Sequence, residues 1–130
     1  MALGKASSIK MIRSVMVKGL EALTTECVTA AYRAGVLEEV LTSLDASAAP
    51  PSWRERADYN LDRMLVHGLR RAAEMEEVVK TLDALRVDAA LSRGTIVRQQ
   101  SVGGLGIRTI PAGLEAKLHA IDSASRRDAA

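Results

Sequence analysis

The stretch from Gly4 to Ala34 reads as one uninterrupted helix, and Gly35 is its stop signal. At about 30 residues it is roughly three times the usual helix length. A helix that long needs extensive apolar cover, and this requirement limits the fold more than any other feature. Met11, Met16 and Leu20 are suited to supply cover, with Met64 and Met75 as gap fillers. There is no Phe, one Trp and two Tyr. The core must therefore come from Leu, Val, Ile, Ala and Met, a palette that suits helix-on-helix packing. Hydrophobic residues make up 48% and charged residues 26% of the 130, which is a globular balance and argues against disorder.

The remaining elements also read as helices. A short one covers about Leu37 to Leu44, and "DASAAPPS" (Asp45 to Ser52) is a loop whose paired prolines break any helix. Ser52 can cap the next helix. This third helix runs from Trp53 to Val66, Gly68 interrupts the pattern, and a fourth runs from Leu69 to Leu85. Asp88 can cap a fifth, Ala89 to Gln100. "SVGGLGIRTIPAG" (Ser101 to Gly113) is a connector, and a weaker helix from Leu114 ends before "SRRDAA". "GTIVRQ" suits helix or strand, and no alternating strand or internal repeat is evident. The expected organisation is a helical unit over 1–110 and a tail over 111–130, a short helix followed by disorder. The fold class is all-α, a helical bundle around one long central N-terminal helix.

Several functions find no support. The formal net charge is only +2, and basic residues are interleaved with acidic ones, so nucleic acid is not expected as a partner. Cys27 is the only cysteine and reads as a small buried hydrophobe. His67 and His119 are too far apart in sequence to form a ligand cluster, and no metal is expected. "GGLG" at 103–106 lacks the preceding strand and the Gly-Lys-Ser ending of a phosphate loop. Residues 1–20 resemble a targeting peptide in composition, but the helical pattern runs on to about Arg33. Lys10, Arg13, Lys18, Glu21 and Glu26 interrupt any membrane span. No membrane association is expected, and the expected location is cytoplasmic.

On a wheel of about 100° per residue, Ser7, Lys10, Ser14, Lys18, Glu21 and Thr25 fall in one narrow polar stripe. Ile9, Ile12, Val15, Met16, Leu20, Leu23, Cys27 and Ala30 dominate the rest, with Arg13 the main exception. The stripe is either the solvated face of an amphipathic helix or the lining of a cleft beside a helix packed on most sides. Its narrowness favours the cleft. Ser7 and Ser14 flank Lys10 by one turn and would leave room for a ligand.

"GKASSIKMIRS" (Gly4 to Ser14) resembles the segment that opens the C-terminal helical domain of β-hydroxyacid dehydrogenases. That superfamily includes 3-hydroxyisobutyrate and 6-phosphogluconate dehydrogenases, and its pattern is Gly-x-Gly-x-x-x-Lys-x-x-x-Asn. Gly4 matches, Ala6 replaces the second glycine, Lys10 matches the catalytic lysine and Ser14 replaces the asparagine. "RRAAEMEEV" (Arg70 to Val78) is similar to a segment of a phosphogluconate-dehydrogenase-like branch, and the resemblance covers about Gly4 to Gly106.

The resemblance implies that Lys10 is catalytic. Ser7, Ser14 and Lys18 would contact substrate, and His67, Arg70 or Arg71 would bind its carboxylate or phosphate. It also implies NAD or NADP, held mainly by an N-terminal Rossmann domain that this chain does not contain, a small hydroxy-acid substrate and a homodimer. Val17 stands where 6-phosphogluconate dehydrogenases carry an acidic glutamate, so decarboxylation of that substrate is not expected. Ala73-Glu74-Met75 stands at the family's Lys-Asp-Leu segment. The alternative is a stand-alone, non-catalytic helical dimerisation module.

Overall fold

The structure is a computed structural model and describes residues 4–47 and 51–129. Within them every regular element is a helix: α1 (Lys5–Arg33), α2 (Leu37–Ala46), α3 (Trp53–Ala84), α4 (Ala90–Gly103) and α5 (Leu114–Ala129). The all-α class agrees with the expectation. Residues 48–50 of the proline loop lie outside the described residues. No described helix is long and apolar enough to cross a membrane.

α1 ends where Gly35 takes φ +73°, a left-handed conformation that costs glycine little. The Val36 amide there donates to the Ala31 carbonyl at 2.9 Å. Ser52 caps α3 as expected, its Oγ accepting from the Glu55 amide at 3.0 Å. "GTIVRQ" is helical, within α4.

Gly68 does not break α3, which is a single 32-residue helix. This glycine marks a helix crossing. A Cβ added at Gly68 would lie 2.6 Å from the Gln99 carbonyl oxygen and 2.8 Å from Gly103 Cα. One added at Gly103 would lie 2.7 Å from Gly68 Cα. The two backbones touch, and only paired glycines allow that. The loss of about 1 kcal/mol of helix propensity at Gly68 is offset by the α3–α4 contact. The last helix also exceeds expectation, continuing to Ala129.

The core is small. Leu82, Val87 and Ala89 are buried, with Ala30, Val79 and Leu85 packed against them. Leu65, Ala72 and Ala124 are buried as well. α3 and α4 form the main packing pair and α5 joins α3. There Lys117, only 4% exposed, reaches Asp58 Oδ1 at 2.7 Å.

The expectation that α1 is packed on most sides is corrected. α1 meets α2 and α4, and Ala31 and Glu26 near its C-terminal end are buried. Toward its N-terminus Ile9, Met11, Ile12, Met16, Leu20 and Leu23 are 42–70% exposed. The difference is one of side-chain size. Ala30 and Ala31 allow close approach, whereas the bulky N-terminal residues stay largely exposed, with Met16 and Leu20 reaching only a hollow beside Trp53 and Ala57 at the start of α3.

Candidate functional site

The polar stripe of α1 forms; Thr25 at its C-terminal end lines a hollow of about 340 Å³ beside the α3–α4 connection, whereas Lys10 stands exposed. Ser7, Lys10, Lys18, Glu21 and Thr25 are exposed and Ser14 is half-buried. A cavity of about 390 Å³ lies beside this part of α1, lined by Arg13, Met16, Val17, Leu20, Trp53 and Ala57. Lys10 is not among its walls. The Ser14 hydroxyl donates to the Lys10 carbonyl at 3.0 Å, and Thr25 Oγ1 donates to the Glu21 carbonyl at 3.0 Å. Such back-bonding uses the hydroxyl proton within the helix. Ser14 is thereby left as an acceptor.

A second polar group lies on α3. Arg63 Nη2 is 3.0 Å from His67 Nε2. An arginine can only donate, so this nitrogen accepts and the ring is neutral, with its proton on Nδ1. Desolvation lowers the His67 pKa first, and the positive charges of Arg63, Arg70 and Arg71 lower it further, opposed by Asp62. Arg70 donates to Glu74 Oε1 at 2.5 Å, one turn on. Arg70, Arg71, Glu74 and Met75 of α3 and Thr95 and Gln99 of α4 line a hollow of about 270 Å³. Gln99 Oε1 and Arg63 Nε are buried without hydrogen-bond partners. The structure thus brings His67, Arg70 and Arg71 together, and separately Ser7, Lys10, Ser14 and Lys18. Among the described residues no hydrogen bond or ion pair joins the two sets. His119 is exposed on α5, and Cys27 is half-buried rather than fully buried.

Sequence reasoning missed the residues that fix α1 to the rest. The buried Glu26 carboxylate accepts from the Leu91 amide at 2.9 Å, the Ser92 amide at 2.8 Å and the Ser92 hydroxyl at 2.5 Å. It therefore caps the N-terminus of α4 from another helix. Burial pushes its pKa up. The hydrogen bonds from Ser92 and Leu91 and the charge of Arg93 outweigh this and bring it below the ordinary carboxylate value. Two turns on, Arg33 Nη1 donates to the Arg86 carbonyl at 2.6 Å and to the Leu85 carbonyl at 3.5 Å. It thus places a cation at the C-terminus of α3. One signal for this was present: Glu26 is an acid on the side of α1 away from the polar stripe. Asp88, the expected cap, accepts from the Ala90 amide at 3.1 Å, and Glu26 takes the next two amides.

Residues 31–102 match the family described as "Domain of unknown function (DUF1932)", and the chain belongs to that family, the C-terminal helical domain of NAD(P)-binding, 6-phosphogluconate dehydrogenase-like proteins. The match includes His67, Arg70, Arg71 and Gln99, and it begins after the lysine stripe. A conserved hypothetical protein from Sinorhizobium meliloti 1021, known from its crystal structure, is 36% identical with a TM-score of 0.50. That alignment covers 97% of this chain and 42% of the Sinorhizobium protein, so this chain spans less than half of that protein's length. No curated protein matches.

Proposed function

We propose that this chain is the C-terminal, substrate-binding and dimerisation half of an NAD(P)-dependent β-hydroxyacid dehydrogenase, with Lys10 as its catalytic lysine. Membership of the family carries the reading. The described residues contain no strand and hence no strand–turn–helix dinucleotide site, so the cofactor would be held mainly by a Rossmann domain outside this chain. The nicotinamide, when bound, supplies hydride acceptance or donation.

The protein's own residues handle the proton and the substrate. Lys10 Nζ, as ammonium, donates to the oxygen that becomes a hydroxyl during reduction. As a neutral amine it takes that proton back during oxidation, which requires an apolar cover over the side chain. Lys10 is exposed here, so the cover must come from the cofactor domain and the substrate. Ser7, Ser14 and Lys18 line the same stripe and would orient a small hydroxy acid. Arg71, with His67 and Arg70 beside it, offers positive charge for the acid's carboxylate or phosphate.

The test is Lys10→Ala in the protein that carries the cofactor domain, with hydride transfer followed by nicotinamide absorbance. The expected result is a loss of about 10²-fold or more in kcat with cofactor affinity unchanged. A rate near wild type would remove Lys10 from the mechanism.

The exposure of Lys10 and of the apolar residues of α1 favours a second reading, a dimerisation module with no chemistry of its own. Both readings expect the isolated chain to show no saturable micromolar binding of NAD or NADP. Only the first expects a rate loss from Lys10→Ala.

A further inference from the structure

Five of the six residues around the 390 Å³ hollow beside α1 are apolar: Met16, Val17 and Leu20 of α1, and Trp53 and Ala57 of α3. The sixth is Arg13. Met16, Leu20 and Trp53 are 42–56% exposed. Concave apolar surface that faces water favours an apolar ligand group, by about fourfold in affinity for each CH₂ buried. The space is ample for a ring, since a cavity of about 150 Å³ admits benzene.

The hollow adjoins the lysine. Counted from Lys10 at about 100° per residue, Met16, Leu20, Arg13 and Val17 fall at about 240°, 280°, 300° and 340°. This wall therefore borders the polar stripe. Arg13 stands about 5 Å along the helix axis from Lys10, and Val17 about 10 Å. A substituent on the carbon that bears the reacting hydroxyl thus enters the hollow directly from Lys10. Lys10 and Arg13 place positive charge at this end of the hollow, and the Arg56 guanidinium lies 5.0 Å from the Trp53 ring centroid. None of the wall residues is acidic. The complement of this arrangement is an anion with an apolar tail. A sugar acid does not fit it, because its hydroxyls would lose water against Val17, Leu20 and Trp53 without gaining hydrogen-bond partners.

We infer that the hydroxy acid handled at Lys10 carries a bulky apolar substituent, an aryl or branched alkyl group, seated between α1 and the start of α3 against Trp53. The inference rests on the proposed role of Lys10 and names the substrate class for it. Val17 and Ala57 are the specificity-determining residues, because their small side chains leave the space. Leu20 and Met16 give it an apolar side, and Trp53 offers a ring for stacking. All six wall residues belong to this chain, so occupancy of the hollow is readable without the cofactor domain.

Trp53 is the only tryptophan of the chain, so its fluorescence reports the hollow directly. 3-Hydroxy-3-phenylpropanoate is expected to change this emission saturably at millimolar concentration, and 3-hydroxypropanoate is expected to leave it unchanged. Ala57→Leu fills the hollow and Val17→Glu puts a charge in its wall. Each is expected to abolish the response, and the variant that keeps its helical circular dichroism decides the point. In the protein that carries the cofactor domain, kcat/KM is expected to favour the phenyl acid over the unsubstituted one by about tenfold or more. Ala57→Leu is expected to erase that preference. No fluorescence response, a response that survives both substitutions, or equal kcat/KM for the two acids would overturn the inference and leave Lys10 in its role. Emission that changes on dilution without ligand would assign the hollow to a second copy and overturn it as well. A response to the phenyl acid with hydride transfer untouched by Lys10→Ala would remove Lys10, and with it the substrate class, and leave only a site for apolar acids.

Discussion

The two ends of α1 contrast sharply. Its last two turns are small-residued and tied by Glu26 to the start of α4 and by Arg33 to the end of α3. Its first four turns carry the larger apolar residues, and those residues are exposed. Hydrophobicity therefore does not decide which part of this helix is covered by its own chain. Close approach does: alanines admit a neighbouring backbone, and a charged group then satisfies the helix end brought near. The same rule holds where α3 crosses α4 at Gly68 and Gly103.

That crossing should give the largest effect. Gly68→Ala puts a methyl group 2.6 Å from a carbonyl oxygen and 2.8 Å from a Cα, both backbone atoms that cannot rotate away. The helices must separate, and a net loss of about 2–3 kcal/mol is expected by urea denaturation, even after the gain in helix propensity. Gly94→Ala on the same α4 meets nothing within 4 Å and should be neutral or gain up to about 1 kcal/mol. Equal effects at the two glycines would mean that the backbones at the crossing stand farther apart.

Next comes the tie between α5 and α3. Asp58→Ala strands the buried Lys117 ammonium. Removing one member of a fully buried pair costs about 3–5 kcal/mol. Asp58 has 38% of its side chain exposed, so about 2 kcal/mol is expected, measured by the same denaturation. Lys117→Met, which removes the charge and keeps the volume, should cost less. The reverse order would assign the stability to lysine packing rather than to the pair.

The Glu26 cap ranks third. Glu26→Ala leaves the Leu91 and Ser92 amides and the Ser92 hydroxyl without their acceptor, at a cost of about 1–2 kcal/mol. The pH dependence has a definite sign. The folded carboxyl titrates below its ordinary value, so the folded state binds this proton less readily than the unfolded state. Its contribution is fully present above the unfolded carboxylate value of about 4.3 and is lost as pH falls through the lower folded value. Glu26→Gln should remove this part of the acid sensitivity, seen as a shallower fall in stability between neutral and acidic pH. An unchanged acid profile would place the sensitivity elsewhere.

These residues also show what the sequence makes legible. Helix class and most boundaries come from local signals: Gly35 stops α1, and Ser52 caps α3. Gly68 is ambiguous in the sequence because a glycine that breaks a helix and one that admits a second backbone look alike until the partner, Gly103, is known. Glu26, Arg33 and the Lys117–Asp58 pair act across sequence separations of 52 to 66 residues, which periodicity does not reach. The lysine stripe is legible as a pattern because a helix fixes its geometry. Its exposure is not, because periodicity does not say which neighbours a helix face will meet.

The smallest expected effect probes that exposure. Lys10 is exposed, and the Ser14 hydroxyl only bonds back to the Lys10 carbonyl. Lys10→Ala should therefore change stability by no more than about 0.5 kcal/mol. Ser14→Ala should be neutral or stabilise by a similar amount, because alanine is the better helix former. A loss above about 1 kcal/mol from either change would mean that the polar stripe is covered in solution. The lysine face would then be an interface, and the proposed substrate-facing role of the stripe would fail.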